Sequence, residues 1–202
     1  TVQSVAKDTP TALIEVRSAQ YVNIIGNVIS GKQSASDERE AIRVLVGDYV
    51  VISNNNISDM RTQAITVGSS GQTSSFTDVI VESNLCVNNV AAGVAATAVI
   101  AVSGNSGGGF YPSRVFIRDN HIIDTSTSGD EADEALGVAT AIPAATRSTY
   151  RLEGNTVSGP ANTMVGGTYP PLSLGFTWDP ASLADGVGET SSAQTVTGAA
   201  LG

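Results

Sequence analysis

Much that usually declares a protein's chemistry is scarce in this chain. It has one cysteine, Cys86, which excludes an intrachain disulfide and leaves stability to packing. The one histidine, His121, would need partners from distant parts of the chain for a catalytic or metal role. No zinc-ligand spacing, EF-hand loop, phosphate-binding glycine loop, nucleophile elbow or Cys–His pair occurs, so no cofactor and no metal are expected. No apolar run reaches 18 residues, so no membrane insertion is expected. Cations are few: 10 Lys and Arg stand against 19 Asp and Glu, giving a net charge of −9. A phosphate-backbone partner needs a basic face, so nucleic acid is not expected as a ligand. The chain opens at Thr1 with neither Met nor a charged-then-apolar leader, which leads to the expectation of no signal peptide and of a piece of something longer.

What the chain does contain is Gly, Ser, Thr, Asn, Val and Ala in quantity, with charged residues at only 14%. That balance suits many short strands joined by turns and disfavours a helical bundle. The stretch VNIIGNVIS (22–30) returns as VVISNNNIS (50–58), VIVESNLCV (79–87), VFIRDNHII (115–123) and YRLEGNTVS (150–158). The five rows align on Asn27, Asn55, Asn84, Asn120 and Asn155, spaced by 28, 29, 36 and 35 residues. Five positions earlier stand Val22, Val50, Val79, Val115 and Tyr150. Three earlier stand Ile24, Ile52, Val81, Ile117 and Leu152, and two later Ile29, Ile57, Cys86, Ile122 and Val157. Every one of these columns is apolar. A further strand precedes each row, at 12–16, 41–46, 64–67, 99–102 and 138–142.

Period-two alternation repeated at this interval, with no helical periodicity, predicts strands that stack parallel about 4.8 Å apart. The expected fold is all-β: a right-handed parallel β-helix of about five coils over residues 1–160. A Pro/Gly-rich C-terminal extension, 161–202, would act as linker or cap and lead into a further β element or an oligomer contact. The five asparagines are expected to form a ladder at a corner, each near the left-handed backbone region that Asn tolerates. Outward positions supply register checks: Glu82 would lie between Ser53 and Arg118, Asp78 beside Arg114, Tyr21 beside Tyr49, and Glu15 opposite Arg43. Cys86 falls in an inward column as a small buried hydrophobe.

Loops at 31–40, 68–78, 103–114 and 124–137 interrupt the repeat, and loops on a rigid scaffold commonly carry binding. In GGGFYP, Phe110 and Tyr111 follow a glycine hinge, where they would stack on sugar rings, complete local packing or meet a neighbouring subunit. Asp119 and Asp124 flank His121, whose column neighbours would be Leu85 and Thr156. Asp119 and His121 join Phe110 and Tyr111 as the candidate ligand-binding residues, although an ordinary outward-facing His fits the same position. The acidic clusters Asp37, Glu38, Glu40 and Asp130, Glu131, Asp133, Glu134 read as solvated loop charges, with calcium binding left open. Catalytic residues are not assigned. Asn56-Ile57-Ser58 matches a glycosylation sequon inside a predicted row.

Over about residues 12–158 the Asn-centred rows resemble the pectate-lyase-like right-handed β-helix repeat, which sets fold far better than activity. The tail FTWDPASLADGVGETSSAQTVTGAALG is similar to the segment that follows such repeats in phage or prophage tail spike and fibre proteins. That resemblance implies a virion-surface, extracellular location, a trimeric homo-oligomer with other virion proteins as partners, and exposure to host-surface glycans. The expected function is therefore a structural and adhesive component of a phage-like particle presenting loops to a cell-surface polysaccharide. The alternative is a polysaccharide depolymerase, a lyase or glycoside hydrolase acting through carboxylates on the coil face. A secreted β-helix that binds carbohydrate is the third possibility. The acid–histidine motif of alginate-epimerase-like β-helices is absent, since Trp178-Asp179-Pro180 lacks the following His and Glu.

Overall fold

A computed structural model describes residues 12–31, 40–90, 98–125, 134–158 and 163–166 of the 202-residue chain. The chain divides at Tyr169/Pro170, and the second unit, Pro170–Gly202, lies outside the described residues together with Trp178. Within the first unit the protein is all-β, and its strands pair in parallel throughout the described residues except for one isolated antiparallel bridge between Asn105 and Phe110.

Three columns of strands make up the curled sheets. The first holds the N-terminal halves of β1 (Ala12–Ile25) and β3 (Glu40–Ser53), then β5 (Ile65–Val67), β8 (Ala98–Val102), β11 (Glu134–Val138) and β14 (Thr163–Gly166). The second holds the C-terminal halves of β1 and β3, then β6 (Phe76–Glu82), β9 (Pro112–Arg118) and β12 (Arg151–Glu153). The third is β2 (Val28–Ser30), β4 (Asn56–Ser58), β7 (Leu85–Val87), β10 (His121–Ile123) and β13 (Thr156–Ser158). This arrangement is compatible with a β-helix-like solenoid. In the first two repeats the first and second strands are fused into single 14-residue strands that turn the corner without a break. Register shifts between Val16 and Ala19, with Ser18 at φ 52°, mark the bend in β1.

The register is the one the apolar columns require. Ile52 pairs with Val81, Val81 with Ile117 and Ile117 with Leu152; Ile57 pairs with Cys86, and Ile122 with both Cys86 and Val157. A slip by one residue would turn every inward side chain to solvent, so burial itself fixes the pairing. Burial is complete at Val50, Ile52, Ile57, Val79, Val81, Cys86, Val115 and Ile122, whereas Val22, Leu152 and Val157 in the outer repeats are half-buried. Each fully buried aliphatic side chain contributes roughly 1.5–3 kcal/mol, so the middle repeats carry most of the core. Tyr150 replaces the valine of its column, and its hydroxyl donates to the Pro112 carbonyl at 2.7 Å, which lets a phenol sit where it is fully buried.

The asparagine ladder spans all five rows. Oδ1 of Asn55 accepts from both the backbone N–H and Nδ2 of Asn27; Asn84 does the same for Asn55, Asn120 for Asn84, and Asn155 for Asn120, all at 2.9–3.1 Å. In the four later rows Nδ2 also donates to a carbonyl of the preceding row: Asn55 to Ile24, Asn84 to Ile52, Asn120 to Val81 and Asn155 to Ile117. The expected backbone reason for asparagine needs correcting. The left-handed residue is the one before it, namely Gly26, Asn54, Ser83, Asp119 and Gly154, with φ between 53° and 68°. Asparagine is required for its amide, not for its tolerance of the corner. A Cβ on Gly154 would lie 2.2 Å from Oδ1 of Asp119, so glycine is needed there both for φ 64° and for space.

Two further corrections concern the fifth repeat. Its first-column strand is β11 at 134–138, not 138–142, because Leu136 and Val138 continue the inward columns of Ile100 and Val102. The residues after it turn, with Ile142 N–H donating to the Ala139 carbonyl, and then form a single helical turn, α1 (Ala144–Arg147), before β12. β14 adds a sixth strand to the first column beyond residue 160.

Candidate functional site

The outward face of the first column changes along the stack. In register it reads Glu15, Arg43, Thr66, Ala101, Gly137 and Gly166. Large charged residues give way to a hydroxyl, a methyl and then no side chain. That taper leaves a groove of about 420 Å³ over β3, β5, β8 and β11, floored by Ala101 and Gly137. Glu40, Arg43, Gln63 and Thr66 stand along it, and Ser69, Ser70, Ser103 and Thr140 line it from the turns that follow the strands. Gly68, at φ 82°, makes one of these turns possible, since a Cβ there would meet the Ser103 carbonyl oxygen at 2.1 Å.

Charge is concentrated at the β3 strand. Oε2 of Glu40 lies 3.4 Å from Nε of Arg43, and both side chains are largely buried. Burial raises the Glu40 pKa above its ordinary value; Arg43 and the Thr66 hydroxyl, which favour the carboxylate, offset part of this, and Glu15 adds to it. Glu15 Oε1 and Thr66 Oγ1 are buried beside this ion pair.

The sequence-predicted residues are not brought to one place. Phe110 and Tyr111 precede β9, while Asp119 and His121 follow it, and an extended seven-residue strand separates the two pairs by roughly 20 Å. The glycine segment forms a closed turn: Asn105 and Phe110 exchange backbone hydrogen bonds, Asn105 Oδ1 accepts from Gly108 N–H, and Asn105 Nδ2 donates to the Gln72 carbonyl. Phe110 is half-buried in that bridged loop, and Tyr111, also half-buried, packs against the core. Asp119 is an exposed corner residue folded over Gly154. His121 is exposed on β10 between Leu85 and Thr156, as its column predicts, with Nδ1 2.5 Å from Thr156 Oγ1. Of the acidic clusters, Asp37, Glu38, Asp130, Glu131 and Asp133 lie outside the described residues, as does the side chain of Glu134.

Among the described residues no group of three or more His, Cys, Asp or Glu could hold a metal ion, and no helix is long and apolar enough to cross a membrane. Compared with protein-family models, curated proteins and solved structures, the chain matches none significantly.

Proposed function

We propose that the chain is a right-handed parallel β-helix of five coils, and that it serves as a structural and adhesive part of a phage-like particle, a tail spike or fibre. In this reading it is extracellular and trimeric, and it presents the first-column groove to a host-surface glycan. The observation that carries the adhesive reading is the groove itself. Its length runs across four strands, its floor is small, and its walls are hydroxyls, an amide and an Arg–Glu pair. Such a surface matches an extended polyhydroxylated chain better than a compact apolar ligand.

A depolymerase is the second reading, favoured by one feature: a carboxyl with a raised pKa beside a guanidinium is suited to proton transfer. Against it, Glu40 is the sole carboxylate among the described residues lining the groove. Hydrolysis by paired carboxylates uses two, about 5–10 Å apart.

The test is binding to purified capsular polysaccharides and lipopolysaccharides, with product analysis on the same samples. The adhesive reading predicts saturable binding that weakens about tenfold in Arg43→Ala, as expected for loss of ~1.4 kcal/mol. It also predicts no new reducing ends or unsaturated uronates. Released products would establish the enzyme instead, and absence of binding to every polymer would remove the adhesive role. Light scattering should report a trimer, and a clean monomer at micromolar concentration counts against the fibre arrangement.

A further inference from the structure

The outer face of the second column changes character along the stack in a way the groove does not explain. Its corner residues are Tyr21, Tyr49, Asp78 and Arg114, all in the left-handed region with φ of 56°, 56°, 61° and 47°. In the later repeats these positions are charged and paired, Arg114 with Asp78, and nearby Arg118 with Glu82 at 2.7 Å. In the first two repeats they are aromatic. The rings of Tyr21 and Tyr49 stack with centroids 5.0 Å apart and planes 4° from parallel. Tyr21 remains 75% exposed, so one ring is held flat by its neighbour and still open to solvent.

A bulky residue at positive φ is a rare and strained choice, costing about 1–3 kcal/mol. The other corner of each repeat uses Gly26, Asn54, Ser83, Asp119 and Gly154, all short. The chain therefore keeps two tyrosines where a smaller residue would relieve the backbone, and what that retains is an outward-facing aromatic shelf. Its first-row neighbours are apolar, Ile25 being 53% and Val28 61% exposed, while Asp48 and Asp78 lie beside Tyr49. Between Tyr21 and Ile25, with Val22 and Ile24 turned inward, Asn23 is exposed and offers an amide with two donors and an acceptor.

We propose that this shelf, Tyr21 and Tyr49 with Asn23 and Ile25 beside it, is a second sugar site that stacks the C–H face of a neutral hexopyranose. Its ligand class rests on the glycan reading above, but its residues are separate from the groove. A flat ring with an exposed amide two residues along the same strand matches a pyranose, which has one apolar face and a rim of hydroxyls. A second copy of the chain fits less well: four exposed apolar side chains fall far short of the roughly 20–30 residues a side used by a stable protein interface.

Saturation-transfer NMR with the methyl glycosides of glucose, galactose, mannose and N-acetylglucosamine tests the proposal on the whole chain. Transfer to the ring C–H protons of at least one glycoside is expected. It should weaken by about tenfold in Tyr21→Asn and in Tyr49→Asn, while Arg43→Ala leaves it intact. Asn tolerates left-handed φ, so both variants should melt at or above the wild-type midpoint, which separates lost binding from lost fold. Equal transfer in Tyr21→Asn, or no transfer with any of the four glycosides, overturns the site. Self-association that disappears in Tyr21→Asn without any sugar signal would also overturn it and give the patch to a second copy. Polymer binding lost in Arg43→Ala with monosaccharide transfer retained would separate the fate of the groove from that of the shelf.

Discussion

At the scale of single residues, the decisive groups are buried amides and one buried thiol. Asn84 Oδ1 accepts two hydrogen bonds from Asn55, and its Nδ2 donates to Ile52 and to Asn120. Asn84→Ala strands several buried polar groups at once, at about 1–3 kcal/mol each. A loss of about 3 kcal/mol or more is expected, lowering the melting midpoint by about 10 °C. Asn27, half-buried at the first row, has partners on one side only, so Asn27→Ala should cost about a third as much. Equal costs at the two positions would mean that the amides act singly and not as a ladder. Cys86 is fully buried, and burial pushes its thiol pKa up to about 12. Alkylation by iodoacetamide at pH 8 should therefore proceed only as fast as the protein unfolds, and rapid labelling of the native chain would contradict its inward placement.

At the scale of strands and turns, sequence patterns work where a position has the same neighbours in every repeat. The apolar columns, the Tyr21–Tyr49 and Asp78–Arg114 neighbours and the flanks of His121 were all legible because each depends only on register. The groove was not. It arises from the outward face of β3, β5, β8 and β11, where Arg43, Thr66, Ala101 and Gly137 share no chemistry and signal only by shrinking. Placing the fifth strand at 138–142 hid Gly137 from that series. The corner was misread for a local reason: Asn54, Asn55 and Asn56 are consecutive, and composition alone does not say which of them takes the left-handed backbone. Two substitutions test the groove as an element. Ala101→Phe fills its floor from an outward position, so glycan binding should fall at least about tenfold with the fold retained by circular dichroism. Glu40→Gln tests the buried carboxyl. With the folded pKa above the ordinary 4.5, the native state holds the proton more tightly, so stability falls as pH rises through 4.5 toward the folded value. The Gln variant lacks that loss, and its stability relative to wild type should increase between pH 4 and pH 7. A variant that loses stability at pH 7 would show that the carboxylate is needed for the Arg43 pair.

For the molecule as a whole, the inside repeats and the outside does not. Inward columns and the ladder recur in each repeat, while the outer faces vary from an aromatic shelf near Tyr21 to paired charges near Arg118 and a groove over Ala101. On the proposed adhesive reading, the varied exterior is the part that meets a ligand. All of this depends on parallel strands stacked in one register along a single line of amides. The most direct test is cross-strand nuclear Overhauser spectroscopy on the isotope-labelled chain. Contacts should link Val50 to Val79 and Val79 to Val115, with side-chain amide contacts running from Asn27 through Asn55, Asn84 and Asn120 to Asn155. Strong Hα–Hα contacts between these rows, which mark antiparallel neighbours, or five asparagine amides with no contact among them, would contradict the account.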